Sequence, residues 1–209
     1  MYKYFFKRLF DILISGIGLI LISPVLLVLA VLVRVKLGSP VIFKQERPGL
    51  HEKIFTLKKF RTMTDERDEE GNLLPDAQRL TKFGKFLRST SLDELPELWN
   101  IFCGDMSLIG PRPLLISYLP YYTQREQLRH TVRPGLTGLA QISGRNLLEW
   151  DKRLEKDAEY VENLSLRLDI KIFFLTIKKV FVREDVVVDT NQVEGNLAEI
   201  RKAERECNG

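Results

Sequence analysis

From Ile12 to Val33 the chain reads ILISGIGLILISPVLLVLAVLV, 22 residues without a charge. Wound as a straight helix this run measures about 33 Å, enough for a hydrocarbon core of about 30 Å. The pattern then changes. Val41-Ile42-Phe43 and Ile54-Phe55-Thr56-Leu57 are short strand-like runs separated by Arg47-Pro48-Gly49, which predicts a β-hairpin. After a charged loop at 65–70 (DERDEE), apolar residues recur at helical spacing. They predict helices over Asp76–Ser89, Leu92–Phe102, Leu148–Asn163 and Leu166–Arg183, with a polar helix over Leu197–Glu206. Gly/Pro-rich stretches separate them, from Gly104 to Pro113 and from Arg133 to Gly144. The expected fold class is α+β and helix-rich. A membrane element occupies 1–36, a small mixed domain 37–190, and a polar tail without an assigned role 191–209.

The apolar run has three readings. A secretory signal would be shorter and would be followed by a small-residue cleavage site, whereas Arg34-Val35-Lys36 follows here. A single spanning anchor gains nothing from Ser23-Pro24 at its middle, where Pro24 removes one helical hydrogen bond and crowds the Ile20 carbonyl. Both ends are basic, with Lys3, Lys7 and Arg8 before the run and Arg34, Lys36, Lys44 and Arg47 after it. Positive flanks favour the cytoplasmic face. The favoured expectation is a re-entrant helix hairpin broken at Ser23 and Pro24, each arm reaching about 15 Å. The spanning helix stands as the alternative. Two aromatic groups suit an interfacial surface: the stripe Leu95, Leu98, Trp99 and Phe102, and the cluster Tyr118, Tyr121 and Tyr122. Each has a competing reading as core.

Composition narrows the classes. At 209 residues, 44% hydrophobic and 29% charged, the chain can bury a core and is not disordered as a whole. Two cysteines and two histidines exclude a disulfide framework and make a zinc or His-rich site improbable. The net charge of +4 hints at anionic partners. A nucleic-acid stripe is disfavoured, because acids at 65–70 and 93–97 interrupt the basic segments.

The most informative segment is Ser91-Leu92-Asp93-Glu94-Leu95-Pro96-Glu97-Leu98. Its plain reading is a capping box, with Ser91 as N-cap and Glu94 three residues on. Its chemical reading is a carboxylate pair near phosphate-binding groups: Arg88, Arg112 held between Pro111 and Pro113, Arg129, Arg133, and Arg145-Asn146. Guanidinium suits bidentate phosphate contact, and adjacent carboxylates suit Mg²⁺ on a diphosphate.

Taken in order, Lys7-Arg8-x-x-Asp11, the apolar run broken at Ser23-Pro24, Lys58-Lys59-Phe60-Arg61-Thr62-Met63, Ser-Leu-Asp93-Glu94-Leu-Pro and Gly-Pro-Arg112-Pro resemble the bacterial sugar transferases. These are monotopic phosphoglycosyl transferases. Arg-Pro-Gly-Leu-Thr-Gly (133–138), Gln-Ile-Ser-Gly-Arg-Asn (141–146), Asp157, Tyr160 and Asp169 continue the resemblance, which runs to about Val182. Its short form is most similar to the branch that transfers a diacetamido-trideoxyhexose phosphate in bacterial N-glycosylation. The resemblance implies a UDP-sugar donor, a polyprenyl (undecaprenyl) phosphate acceptor, UMP as product, and Mg²⁺. It also implies a catalytic domain on the cytoplasmic face of the inner membrane, in contact with lipid. Asp93 and Glu94 are the implied catalytic and metal-binding pair. Lys59, Arg88, Arg112, Arg133, Arg145 and Asn146 are expected at phosphate, and Lys7, Arg8, Asp11, Pro111, Pro113, Asp157 and Asp169 as supports. Polyprenyl phosphate is already ionised at neutral pH and needs no general base, so a carboxylate in the site is better explained as a nucleophile. Glu94 could bind metal, orient Asp93 or cap. A homodimer is left open as a partner.

Overall fold

The computed structural model describes residues 2–144, 148–182 and 195–207. Helix α1 (Lys7–Leu37) carries the apolar run. It runs as one helix through Pro24, with no separate turn at Ser23-Pro24. Chemistry at the break explains the continuity: Ser23 Oγ donates to the Ile20 carbonyl at 2.8 Å, the acceptor that Pro24 cannot serve. Only 11% of the most apolar 18-residue window is buried, so α1 is no core helix of a water-soluble domain.

Both ends of α1 are nonetheless fastened to the same folded body. Near its start, Lys7 Nζ bonds Asp169 Oδ2 at 2.7 Å, and Asp11 Oδ1 accepts from Ser107 Oγ at 3.0 Å and the Leu108 amide at 2.9 Å. Near its end, Leu29, Val33 and Leu37 pack with Phe60 and Leu87 into one core cluster.

Strands β1 (Ile42–Pro48) and β2 (Ile54–Phe60) form the expected antiparallel hairpin, in register from Ile42↔Phe60 to Pro48↔Ile54. The helix expected over Asp76–Ser89 is two pieces, α2 (Asp76–Arg79) and α3 (Lys82–Ser89). Leu80 turns extended to bridge Met63, and Thr81 restarts the helix by accepting the Gly84 amide at 3.1 Å. The helix expected over Leu92–Phe102 begins later. A 3₁₀ turn at Leu92–Glu94 precedes α4 (Glu97–Cys103), with Pro96 at its N-cap.

Next come β3 (Ser107–Ile109), α5 (Gln124–Gln127), β4 (Gly135–Thr137), α6 (Leu139–Ile142), α7 (Trp150–Glu162), α8 (Leu166–Val182) and α9 (Leu197–Cys207). Strands β3 and β4 pair in parallel, Ser107↔Gly135 and Ile109↔Thr137. This pair joins the two Gly/Pro-rich stretches into one rigid unit. Here the glycines have a physical cause: a Cβ on Gly110 would lie 2.5 Å from the Arg133 carbonyl, and one on Gly135 2.1 Å from the Gly110 amide nitrogen.

The aromatic groups divide. Trp99 (48% exposed) and Phe102 (41%) face outward beside α1, in keeping with an interfacial stripe. Tyr118 and Tyr122 do not, because they form core with Trp150, Leu154 and Leu197. Tyr121 lies under the Arg205 guanidinium at 5.0 Å. The polar helix α9 thus closes a core cluster.

Candidate active site

Four elements meet at Asp93 and Glu94. The 3₁₀ turn supplies the pair, following Ser91 in the left-handed region (φ 56°). That conformation is costly for a residue with a Cβ, and such strain gathers at functional sites. The capping box does not form, since Ser91 makes no side-chain cap bond and only its carbonyl receives the Glu94 amide, at 3.2 Å. Nor does a helix N-terminus point here, because α4 starts only at Glu97. The Glu94 side chain is instead drawn into ion pairs.

Strand β2 brings Lys59, whose Nζ lies 2.8 Å from Glu94 Oε1 and 3.0 Å from Glu97 Oε1. The strand is held to α4 by the buried Asn100, which accepts from the Lys58 amide at 3.1 Å and donates to the Thr56 carbonyl at 2.8 Å. The Gly110–Pro113 loop brings Arg112, whose Nη2 meets the same Glu94 Oε1 at 2.5 Å. Helix α3 brings Arg88, close enough to act on Asp93 electrostatically, with its Nε fixed on Thr62 Oγ1 at 3.1 Å.

These charges separate the three acids. Burial works to raise the Glu94 carboxyl, but Arg112 and Lys59 overwhelm it and hold the group well below the usual carboxylate range. Burial, then the negative charge of Glu94, pushes Glu97 up to about 7. Asp93 also shifts upward, through burial and then Glu94, while Lys59, Arg112 and Arg88 oppose the rise. Asp93 is buried, yet accepts no hydrogen bond from the described residues. A carboxylate so placed is free to bond to something else.

Arg112 is held from behind. Its carbonyl accepts from Arg129 Nη2, and Arg129 also bonds the Tyr122 hydroxyl at 2.8 Å and pairs with Asp157 at 3.1 Å. All three are buried. Asp157 therefore supports the site through Arg129.

Other expected residues lie elsewhere. Arg133 Nε donates to the Gly104 carbonyl at 2.8 Å, beyond the far end of α4 from the acids. There it joins Arg8, which donates to the Ile101 and Phe102 carbonyls at 2.6 and 2.8 Å. Cations at a helix C-terminus complement its exposed carbonyls, so Arg133 is a structural tie. Lys7 and Arg8, expected as basic flanks of the apolar run and as supports, are ties as well. Asp169 gathers Tyr2, Lys7 and Tyr160 hydroxyl at 2.6, 2.7 and 2.8 Å. Arg145 and Asn146 fall outside the described residues. Sequence reasoning missed Glu97 and Asn100; an acid and an amide on an otherwise apolar helical stripe were the available signal.

The donor set can be tested for Mg²⁺. Among the described residues no group of three or more His, Cys, Asp and Glu side chains is arranged to hold a metal. Asp93 is unbonded, and the hydrogen bonds and ion pairs of Glu94 fall on Oε1, leaving Oε2 available. Two carboxylates fit a hard cation that takes its remaining ligands from substrate phosphate and water.

The bacterial sugar transferase family model matches residues 2–183, nearly the whole described body. The chain is 56% identical over 187 residues to an uncharacterized sugar transferase, EpsL, of Bacillus subtilis, covering 90% of this chain and 92% of that one. It is 47% identical over 189 residues to the UDP-glucose:undecaprenyl-phosphate glucose-1-phosphate transferase of Klebsiella pneumoniae. That match takes in 86% of this chain but 41% of the longer relative. The exopolysaccharide production protein ExoY of Rhizobium meliloti is 40% identical over 191 residues, 83% of this chain and 84% of that one. The motifs that build the acid–guanidinium cluster and those that fasten α1 fall within the matched span, and the chain belongs to the bacterial sugar transferase family.

Proposed function

We propose that this protein is a polyprenyl-phosphate sugar-1-phosphate transferase working through a covalent phospho-aspartyl intermediate. One observation carries the reading: Asp93 is buried and accepts no hydrogen bond from the described residues, beside a Glu94 kept ionised by Lys59 and Arg112. An Asp93 oxygen attacks the sugar-bearing phosphorus of a UDP-sugar. The bond from that phosphorus to the bridging oxygen breaks, and UMP departs with the electron pair. An oxygen of polyprenyl phosphate then attacks the same phosphorus, giving polyprenyl-diphosphate-sugar and restoring the Asp93 carboxylate.

Both attacks bring anion to anion, so the surrounding cations matter most where charge accumulates. Arg112 and Lys59 hold Glu94, and with Arg88 their charges bias Asp93 toward its ionised form. Asp93 and Glu94 are the residues that would hold Mg²⁺, which when bound supplies charge neutralisation on phosphate oxygens.

The acceptor's long chain stays in the bilayer, so its phosphate lies at headgroup depth. Both ends of α1 dock on the domain that carries Asp93. This supports a re-entrant rather than a spanning helix, and the basic residues at both ends of the run support a place on the cytoplasmic face of the inner membrane. The exposed Trp99 and Phe102 beside it supply interfacial contact.

The test is UMP release by purified protein from a panel of UDP-sugars, without lipid acceptor, with mass spectrometry of the peptide containing Asp93. The panel includes UDP-glucose, UDP-galactose and the UDP-diacetamido sugar that the motif resemblance suggests. A sugar-phosphate adduct on Asp93, and a loss of about 10³-fold or more in Asp93→Asn, are expected. Full turnover in Asp93→Asn would reject the covalent route, and no UMP from any donor the transferase reading.

A further inference from the structure

Arg47 closes β1, and sequence reasoning placed it only among the basic flanks of the membrane run. Its surroundings are of another kind. Among the described residues it forms no ion pair; its Nη2 donates to the neutral Gln45 Oε1 at 2.6 Å. Its Nε is buried and has no hydrogen-bond partner. Burial, then the like charge of Arg112, depresses its guanidinium, although Tyr118, Glu97 and Tyr122 draw the other way. The buried Arg129 is neutralised by Asp157, and the half-buried Arg201 by Glu126. A guanidinium does not shed its proton, so an unpaired one persists at a cost until an anion arrives.

The next two residues, Pro48 and Gly49, form one wall of a recess also lined by Arg112, Arg129 and His130 and by Pro111, Pro113 and Pro134. His130 Nε2 is likewise buried without a partner, so polar atoms on both sides of this wall lack partners. Arg112 pairs with Glu94 at 2.5 Å, and Arg47 is close enough to feel its charge. Two neighbouring guanidiniums, only one of which already holds a carboxylate, suit an extended anion better than a single phosphate.

We propose that Arg47 binds the nucleotide-side phosphate of the donor, the one that leaves in UMP, so that Arg47 and Arg112 together span the diphosphate. The assignment rests on the transferase reading and adds which residue holds the leaving group.

The test uses the full chain in detergent. UMP affinity is measured by competition in wild type, Arg47→Gln and Arg47→Lys. Arg47→Gln is expected to weaken UMP binding about tenfold or more, with partial recovery in Arg47→Lys and the KM for polyprenyl phosphate within about twofold. Unchanged UMP affinity in a folded Arg47→Gln overturns the proposal. Should that variant fail to fold, phenylglyoxal labelling of the wild type decides: UMP, but not uridine, must slow modification at Arg47 mapped by mass spectrometry. Equal labelling with and without UMP overturns it. A wild type that binds UMP through Arg47 but releases none from any UDP-sugar would sink the transferase reading instead.

Discussion

Two buried polar clusters, made from nearly the same residue types, behave in opposite ways. At the junction of α1 with the domain, Asp169 accepts from Tyr2, Lys7 and Tyr160, and Asp11 accepts from Ser107 and the Leu108 amide. Each side chain has partners of complementary charge or hydrogen-bonding sense. At the candidate active site, among the described residues, Asp93 accepts no hydrogen bond, Glu97 shares Lys59 with Glu94, and Arg47 has no acidic partner. Acids and bases alone do not distinguish a support from a reaction centre; unmade bonds do.

That contrast is broken most forcefully at the junction. Lys7→Met strands Asp169 as a buried charge with only hydroxyl partners, and removing one member of a buried pair costs about 3–5 kcal/mol. A large fall in thermal midpoint is expected, read by differential scanning fluorimetry in detergent. Much of it should return in the Lys7→Met/Asp169→Asn double variant. At the site the same kind of change has the opposite sense: Asp93→Asn removes a charge that burial disfavours, so its midpoint holds or rises while turnover is lost. A midpoint in Asp93→Asn as low as in Lys7→Met would erase the distinction.

The second prediction lies between the clusters. Arg129 is saturated like the junction, yet its work is to fix the backbone of Arg112. Lysine retains the charge but not the planar fork that reaches the Arg112 carbonyl, the Tyr122 hydroxyl and Asp157 together. Arg129→Lys is expected to lower kcat roughly a hundredfold, the scale on which small misplacements act. The measurement is made on the folded fraction, where a purely structural residue would leave kcat unchanged.

How much of this was legible depended on the range of the interactions. Helices α7, α8 and α9 are long enough for their apolar period to show, and the β1–β2 hairpin has a turn to announce it. Strands β3 and β4 are three residues each, too short for any alternation, and exist because Gly110 and Gly135 let two backbones touch. At the site, Asp93, Glu94, Lys59 and Arg112 are brought together as the ordered motifs implied. Arg133 was misplaced for a physical reason: a guanidinium that serves helix carbonyls looks, in sequence, like one that serves phosphate. Lys7 and Arg8 were expected as basic flanks and as supports, but what they support was not legible, because their partners lie about 90 or more residues downstream. The tail assigned no role in sequence supplies Leu197 to the core around Trp150, and Arg201 to Glu126.

The smallest effect sharpens the comparison most. Glu97 is raised to about 7 by burial and by Glu94, from an ordinary value near 4.5. Because the folded state holds this proton more tightly than the unfolded chain, the stabilisation is complete below about pH 4.5. It is lost as pH rises through 7. Asp157, raised to about 6 by burial against Arg129 and Arg153, contributes a slope of the same sign. Glu97→Gln keeps a neutral, isosteric group at all pH values. Its stability relative to wild type should therefore be near zero at pH 4.5 and grow to the order of 1–3 kcal/mol by pH 8. Denaturant midpoints across that range measure it, with the Asp157 slope present in both proteins and cancelling in the difference. A flat difference would mean that Lys59 fully neutralises both glutamates. The active site would then be as saturated as the junction, and the unmade bonds at Asp93 and Arg47 would be all that sets it apart.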